Sequence, residues 1–120
     1  MPSDIKFRSY RISVDFLIWV RKQKFAFDDK WIIKQVSRSI ASIGANLVEA
    51  QSSSSNKEFI RYNEISLKSA NESKYWLCLI RDGLEINDEK LKYFILEIDE
   101  ISKIIAKGII SLKNKNKRLL

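Results

Sequence analysis

Residues 31–50 read WIIKQVSRSIASIGANLVEA, and this stretch decides the fold. Apolar side chains recur in it at steps of three and four, the period of an α-helix with one buried face. The rest of the helix surface consists mostly of small side chains, and the only charged residues in the stretch are Lys34, Arg38 and Glu49. A helix of this kind is expected inside a bundle, with neighbours close on several sides. Its predicted core stripe comprises Ile32, Val36, Ile40, Ile43 and Leu47.

The segments on either side of this helix show the same period. Ser55 followed by Glu58 is a capping box that opens a helix, and Gly83 is placed to end it. Short turns join consecutive helices, so the sequence predicts an all-α, antiparallel up-down-up-down four-helix bundle. With 120 residues there is room for one domain. The predicted helices span about 5–24, 30–51, 56–82 and 88–112, with a basic C-terminal tail at 113–120.

Small residues mark two places where helices are predicted to approach closely. Ser66, Ser69 and Ser73 interrupt the apolar face in the middle of the third helix, between larger side chains at its ends. Gly44 lies within the small-residue surface of the second helix. We expect a bulky side chain at Gly44 to overpack a helix contact.

The first helix carries two apolar stripes on opposite sides. A helix in an isolated four-helix bundle needs only one, so the second stripe indicates contact with another subunit. One stripe consists of Phe7, Tyr10, Val14 and Leu17. The other, which we assign to the subunit interface, consists of Ile5, Ile12, Phe16 and Trp19.

The net charge of +7 is concentrated towards the termini of the chain. Residues 1–24 carry six basic and two acidic side chains, and the last eight residues carry four basic ones and no acid. Such an excess favours polyanionic partners. The predicted nucleic-acid contacts are Arg8, Arg11, Lys22, Lys113, Lys115, Lys117 and Arg118. The sequence gives no support to stacking on bases, because Trp19, Trp31 and Trp76 all lie in apolar stripes.

A row of polar residues lies on one flank of the second helix, at spacings of three and four. It could be a binding or catalytic row, or an interhelical network in which Arg38 and Glu49 find partners on facing helices. The spacing favours the structural interpretation. The row comprises Gln35, Arg38, Ser42, Asn46 and Glu49.

Several kinds of chemistry lack their usual residues. The absence of histidine removes His-based triads, common zinc sites and the Glu-x-x-His motif of di-iron bundles. No glycine-rich phosphate loop is present, and Cys78 has no second cysteine to pair with. We therefore expect neither an enzyme nor a cofactor. The N-terminus does not read as a signal peptide, and Phe16 to Val20 is too short to span a bilayer, so a cytoplasmic location is expected.

Three stretches together resemble the 23S ribosomal RNA intervening-sequence protein family, also called the four-helix-bundle protein family. They are QVSRSIASIGANLVEA (35–50), SNKEFI (55–60) and ISLKSANESKYWL (65–77). The resemblance covers about residues 5–112. It implies a bacterial cytoplasmic protein that forms a homopentameric ring. Some members are encoded inside insertions in 23S rRNA genes, and none has established catalytic residues. Arg38, Asn46, Glu49 and Glu72 match the family pattern, and we interpret them as structural.

Two functions follow as hypotheses. The first is an oligomeric bundle that binds RNA or DNA through phosphate contacts, with the basic surface repeated around the ring. The second is a protein-interaction module without a nucleic-acid role, such as an accessory subunit to a mobile-element enzyme. A distant relative of similar fold serves a reverse transcriptase in this way.

Overall fold

A computed structural model describes residues 4–119, with side chains described as far as Lys117. This part of the chain forms four α-helices and no strand, which confirms the predicted all-α class. A short 3₁₀ turn, Phe27–Asp29, precedes the second helix. The helices are α1 (Asp4–Lys22), α2 (Lys30–Gln51), α3 (Asn56–Gly83) and α4 (Glu89–Leu119).

Two of the helix starts are fixed by side-chain caps. The Ser55 hydroxyl accepts a hydrogen bond from the backbone N–H of Glu58 at 3.1 Å, as the capping box predicts. At the start of α4, the Asp88 carboxylate accepts from the backbone N–H of Lys90 at 2.7 Å. Each cap satisfies N–H groups that have no partner within the helix, so these turns fix where α3 and α4 begin.

Each helix packs closely against two neighbours, and within the described chain no Cα atoms of diagonal helices come within 8 Å of each other. The helices α1, α2, α3 and α4 therefore follow one another around a square, each antiparallel to the next. Ser13 of α1 reaches the Ile40 carbonyl of α2, and Lys74 of α3 reaches Asp99 of α4. This is the predicted up-down-up-down order.

The seam between α2 and α3 is the closest in the bundle, and serines line it. The Ser66 hydroxyl donates to the Ile43 carbonyl of α2 at 2.7 Å, and the Ser73 hydroxyl donates to Ser39 at 2.8 Å. Small side chains let the two backbones approach, and their hydroxyls find partners across the seam. The predicted close crossing in the middle of α3 is confirmed. All five predicted core residues of α2 are also buried.

The assignment of the two stripes on α1 is wrong. The predicted interface residues line the core of a single chain, where the Phe16 and Trp19 rings both pack against Phe94 of α4. The stripe predicted to face the core points outwards instead, with Phe7 and Tyr10 more than half exposed. Apolar spacing alone does not distinguish the two faces, and the neighbouring helices decide between them. The misassigned residues are Ile5 (3% exposed), Ile12 (0%), Phe16 (1%) and Trp19 (5%).

The fourth helix does not end near Leu112, as the spacing predicts, but continues to Leu119. Ile109 is buried, and Leu112 still packs against the core. No proline or glycine follows Leu112, and the lysines there interact favourably with the negative end of the α4 dipole. The predicted basic tail is therefore the last part of α4, which helps to give the bundle a longest dimension of 54 Å.

Candidate nucleic-acid interface

Arg8, a predicted nucleic-acid contact, binds carboxylates of α4 instead. Its guanidinium donates two hydrogen bonds to Glu97, at 2.6 and 3.1 Å, and lies 3.3 Å from Glu100. These hydrogen bonds raise the pKa of Arg8 well above its ordinary value. A guanidinium held this way is not available to a phosphate. Arg11, one turn away, is exposed and makes no salt bridge within the described chain.

Two of the four predicted contacts at the basic end of α4 form no salt bridge with a described side chain. Lys113 forms a salt bridge with Glu64 of α3 at 3.0 Å, with both side chains about half exposed. Lys115 and Lys117 are exposed and make no salt bridge to another described side chain. The side chain of Arg118 lies outside the described residues. Of the four predicted contacts at this end, two lysines therefore remain as exposed, unpaired cations.

The predicted basic contacts do not form one patch. Because α1 and α4 are antiparallel, the end of α1 lies beside the start of α4, where Trp19 contacts Phe94. Lys22 is therefore at one end of the bundle, whereas Lys115 and Lys117 are at the other. The structure separates the predicted site into two basic ends of an elongated molecule.

A basic pocket that sequence analysis missed lies between the end of α1 and the start of α2. It has a volume of about 820 Å³ and an apolar floor formed by Val20, Phe25 and Ile33. Its four basic side chains make no salt bridge within the described part of the chain. The signal was present in the sequence, since basic residues end α1 and recur four apart on the first turns of α2. The basic residues of the pocket are Arg21, Lys24, Lys30 and Lys34.

The polar row on α2 is partly a network and partly free surface. The Ser42 hydroxyl lies 2.8 Å from the Ser69 hydroxyl of α3, and the Asn46 amide donates to the Ser42 carbonyl. Of these bonds only the one between Ser42 and Ser69 joins two helices, because Asn46 and Ser42 both belong to α2. Arg38 and Glu49 do not find the predicted partners on facing helices. Together with Gln35 they are exposed, and none forms a side-chain hydrogen bond or salt bridge within residues 4–119.

An exposed aromatic cluster lies where α2 and α3 meet at the same end as the basic pocket. Trp31 is 57% exposed, and its ring meets that of Trp76 edge-on at 6.2 Å. Tyr75, 64% exposed, contacts Trp76 from the other side at 5.4 Å. The Trp76 indole N–H donates to the Glu72 carboxylate at 3.1 Å, a contact one turn apart within α3. Trp31 and Tyr75 are therefore exposed at the surface, whereas Trp76 is half-buried against the core.

Two further features bear on the kind of site this is. Within residues 4–119, no three acidic or thiol side chains converge as metal ligands would. No helix in that range combines the length and the apolar character of a membrane-spanning segment.

Comparison with known proteins places this fold in a family. Residues 6–107 match the family model described as 23S rRNA-intervening sequence protein, a match that ends before the basic end of α4. No curated protein matches the chain. A crystal structure from Bacteroides thetaiotaomicron, of a protein with unknown function from the S23 ribosomal protein family, is 33% identical with a TM-score of 0.76. The alignment covers 88% of this chain and 97% of that one. The chain belongs to the 23S rRNA-intervening sequence protein family.

Proposed function

We propose that this protein is a non-enzymatic, self-assembling bundle of the bacterial cytoplasm that binds RNA or DNA through phosphate contacts. The observation that carries the proposal is the basic charge of the second half of α4. From Lys103 to Arg118 it holds six basic residues and no acidic one. Lys107, Lys115 and Lys117 are exposed there and unpaired among the described side chains. Lysines in this setting attract phosphates irrespective of base sequence.

The exposed apolar stripe of α1 supports the self-assembly that the proposal includes. Phe7, Tyr10 and Leu17 are between 56% and 65% exposed, which is unusual for three large apolar residues on one helix face. Beside them, an open groove of about 260 Å³ between α1 and α2 is lined by small and apolar side chains and by Lys6. A second copy would cover this face. Following the family resemblance, we propose that the closed assembly is a homopentameric ring, in which every basic end would be repeated.

A filter-binding titration tests the nucleic-acid proposal. Single-stranded and duplex RNA and DNA would be titrated with the protein at 50 and 200 mM salt, typical conditions for measuring counterion release. We expect retention at low salt and a steep loss of affinity at high salt, with little dependence on base sequence. Failure to retain any of these nucleic acids at 50 mM salt would refute phosphate-mediated binding.

A protein-interaction role is the second candidate, favoured by the large exposed apolar area on α1. In this case the stripe binds a foreign protein as well as, or instead of, a second copy, and the partner is an enzyme such as one encoded by a mobile element. Capture from the native host separates the two functions. Recovery of one stoichiometric protein partner, with no copurifying nucleic acid, would favour this role over the first.

A further inference from the structure

We propose that the aromatic cluster and the basic pocket together form a binding site for single-stranded nucleic acid. The proposal rests on the proposed nucleic-acid function and names the form of ligand that one end of the bundle takes. The aromatic cluster consists of Trp31, Tyr75 and Trp76, with the exposed Phe27 four residues before Trp31, and the basic pocket is that of Arg21, Lys24, Lys30 and Lys34.

The aromatic side of the site offers faces on which bases can stack. Phe27 is 83% exposed, and Trp31 follows it by four residues, one helical turn further along. Trp31 and Tyr75 each hold a T-shaped contact with Trp76, and both remain more than half exposed. Proteins that bind single strands without sequence preference use such aromatic faces, because every base has a flat surface.

The basic side of the site lies next to these rings along α2. Lys30 and Lys34 line the pocket and flank Trp31 in sequence, one on each side. The Lys30 ammonium also lies 6.0 Å from the centre of the Phe27 ring, so a cation and an aromatic face adjoin directly. Basic residues outnumber Asp28 and Asp29 by five to two over residues 20–34. The N-terminus of α2 adds positive potential at this end.

The combination of exposed aromatic rings and basic side chains favours binding of a single strand over a duplex. In a duplex the bases are already stacked on one another, so rings on a convex protein surface cannot reach their faces. A duplex would therefore contact only the lysines and arginines. A second copy of the chain is a poorer occupant, because its contact would bury four basic side chains that have no acidic partner within the described chain. The uncharged stripe of α1 suits that role better.

The test compares a short single strand with the duplex of the same sequence, using the full-length protein and its intrinsic tryptophan fluorescence. Trp19 is buried, so quenching on binding reports Trp31 and Trp76. Trp31→Ala should weaken single-strand binding about fivefold or more, since one stacked base is lost, and should leave duplex binding unchanged. Trp31→Phe should keep most of the affinity but lose much of the quenching. Leu96→Ala, which removes an equally exposed apolar side chain from α4, is the matched control and should change neither.

Each alternative gives a different result. Equal affinity of the wild type for strand and duplex, or unchanged single-strand binding by Trp31→Ala, would overturn this site while leaving the proposed function intact. A smaller particle for Trp31→Ala, measured by light scattering, would identify the cluster as a subunit contact and also overturn it. Absence of any nucleic-acid binding by the wild type would refute the proposed function itself.

Discussion

At the scale of single residues, Gly44 shows how a helix contact limits side-chain size. A Cβ atom at this position would lie 3.5 Å from the Ser9 Cβ and 3.6 Å from the Ser9 carbonyl carbon of α1. These are ordinary contact distances, so one methyl group fits but a longer side chain meets backbone. Gly44→Ala should raise the free energy of unfolding by about 0.5–1 kcal/mol, because alanine favours the helix. Gly44→Leu should lower it by about 1–3 kcal/mol. Chemical denaturation measures both, and destabilisation by alanine would contradict this account of the contact.

Arg8 gives a second residue-scale prediction, because its role is structural and not that of a phosphate contact. Arg8→Met keeps the apolar stem but leaves the largely buried Glu97 without its bidentate partner. We expect the free energy of unfolding to fall by about 1–2 kcal/mol. Arg11→Met, one turn away on the same helix, should change it by less than about 0.5 kcal/mol. Both would be measured by urea denaturation. A large loss of RNA affinity in Arg8→Met, with unchanged stability, would restore Arg8 as a nucleic-acid contact.

The two stripes of α1 show what single residues in a sequence do not reveal. Both stripes are apolar at helical spacing, so periodicity identifies both but does not show which one faces the core. Ser9, which is fully buried beside Gly44, was the available signal, because a small residue between Ile5 and Ile12 marks a close helix approach. Because Trp19 is in the core, Trp19→Asp would unfold the subunit, so this substitution cannot test whether the helix contacts another subunit.

At the scale of helices, local sequence defines starts better than ends. The starts of α2 and α3 agree with the predicted bounds, and Ser55 caps α3, whereas Asp29 makes no side-chain cap at the start of α2. Gly83 ends α3 within one residue of the expected position. The end of α4 was missed because no stopping residue follows Leu112. Its last turns remain helical through packing of Leu112 and through favourable charge at the helix end.

The basic end of α4 gives a prediction about salt dependence. Lys115 and Lys117 are unpaired among the described side chains, so each should release about one counterion when it contacts a phosphate. Lys115→Gln combined with Lys117→Gln should therefore reduce the slope of log affinity against log salt by about two. Lys103→Gln combined with Lys113→Gln is the control, because it also removes two charges but from lysines already paired with Asp99 and Glu64 at 3.0 Å, and it should change the slope less. Equal changes in both variants would mean that only net charge matters.

At the scale of the whole molecule, the sequence determines the bundle but not the arrangement of its surfaces. Core spacing, caps and short turns all favour one antiparallel order, which the structure shows. The candidate site is different, because it depends on which ends of the helices meet. Lys22 of α1 and Lys115 of α4 lie at opposite ends of the bundle, while residues far apart in sequence, such as Trp31 and Tyr75, form one exposed cluster. Helix periodicity carries no information about such proximity.

Assembly is the property of the whole molecule on which the repeated basic ends depend, and one substitution tests it. Leu17 is 56% exposed on the outward stripe of α1, so Leu17→Asp places a charge in the proposed contact without disturbing the core. We expect light scattering to show a smaller particle with unchanged helicity, because burying an unpaired carboxylate between subunits is costly. Leu96→Asp, at 62% exposure on α4, should leave the mass unchanged. If the wild type is already a single chain at micromolar concentration, or if Leu17→Asp keeps its full mass, the outward stripe is not the subunit contact and the ring cannot be built upon it.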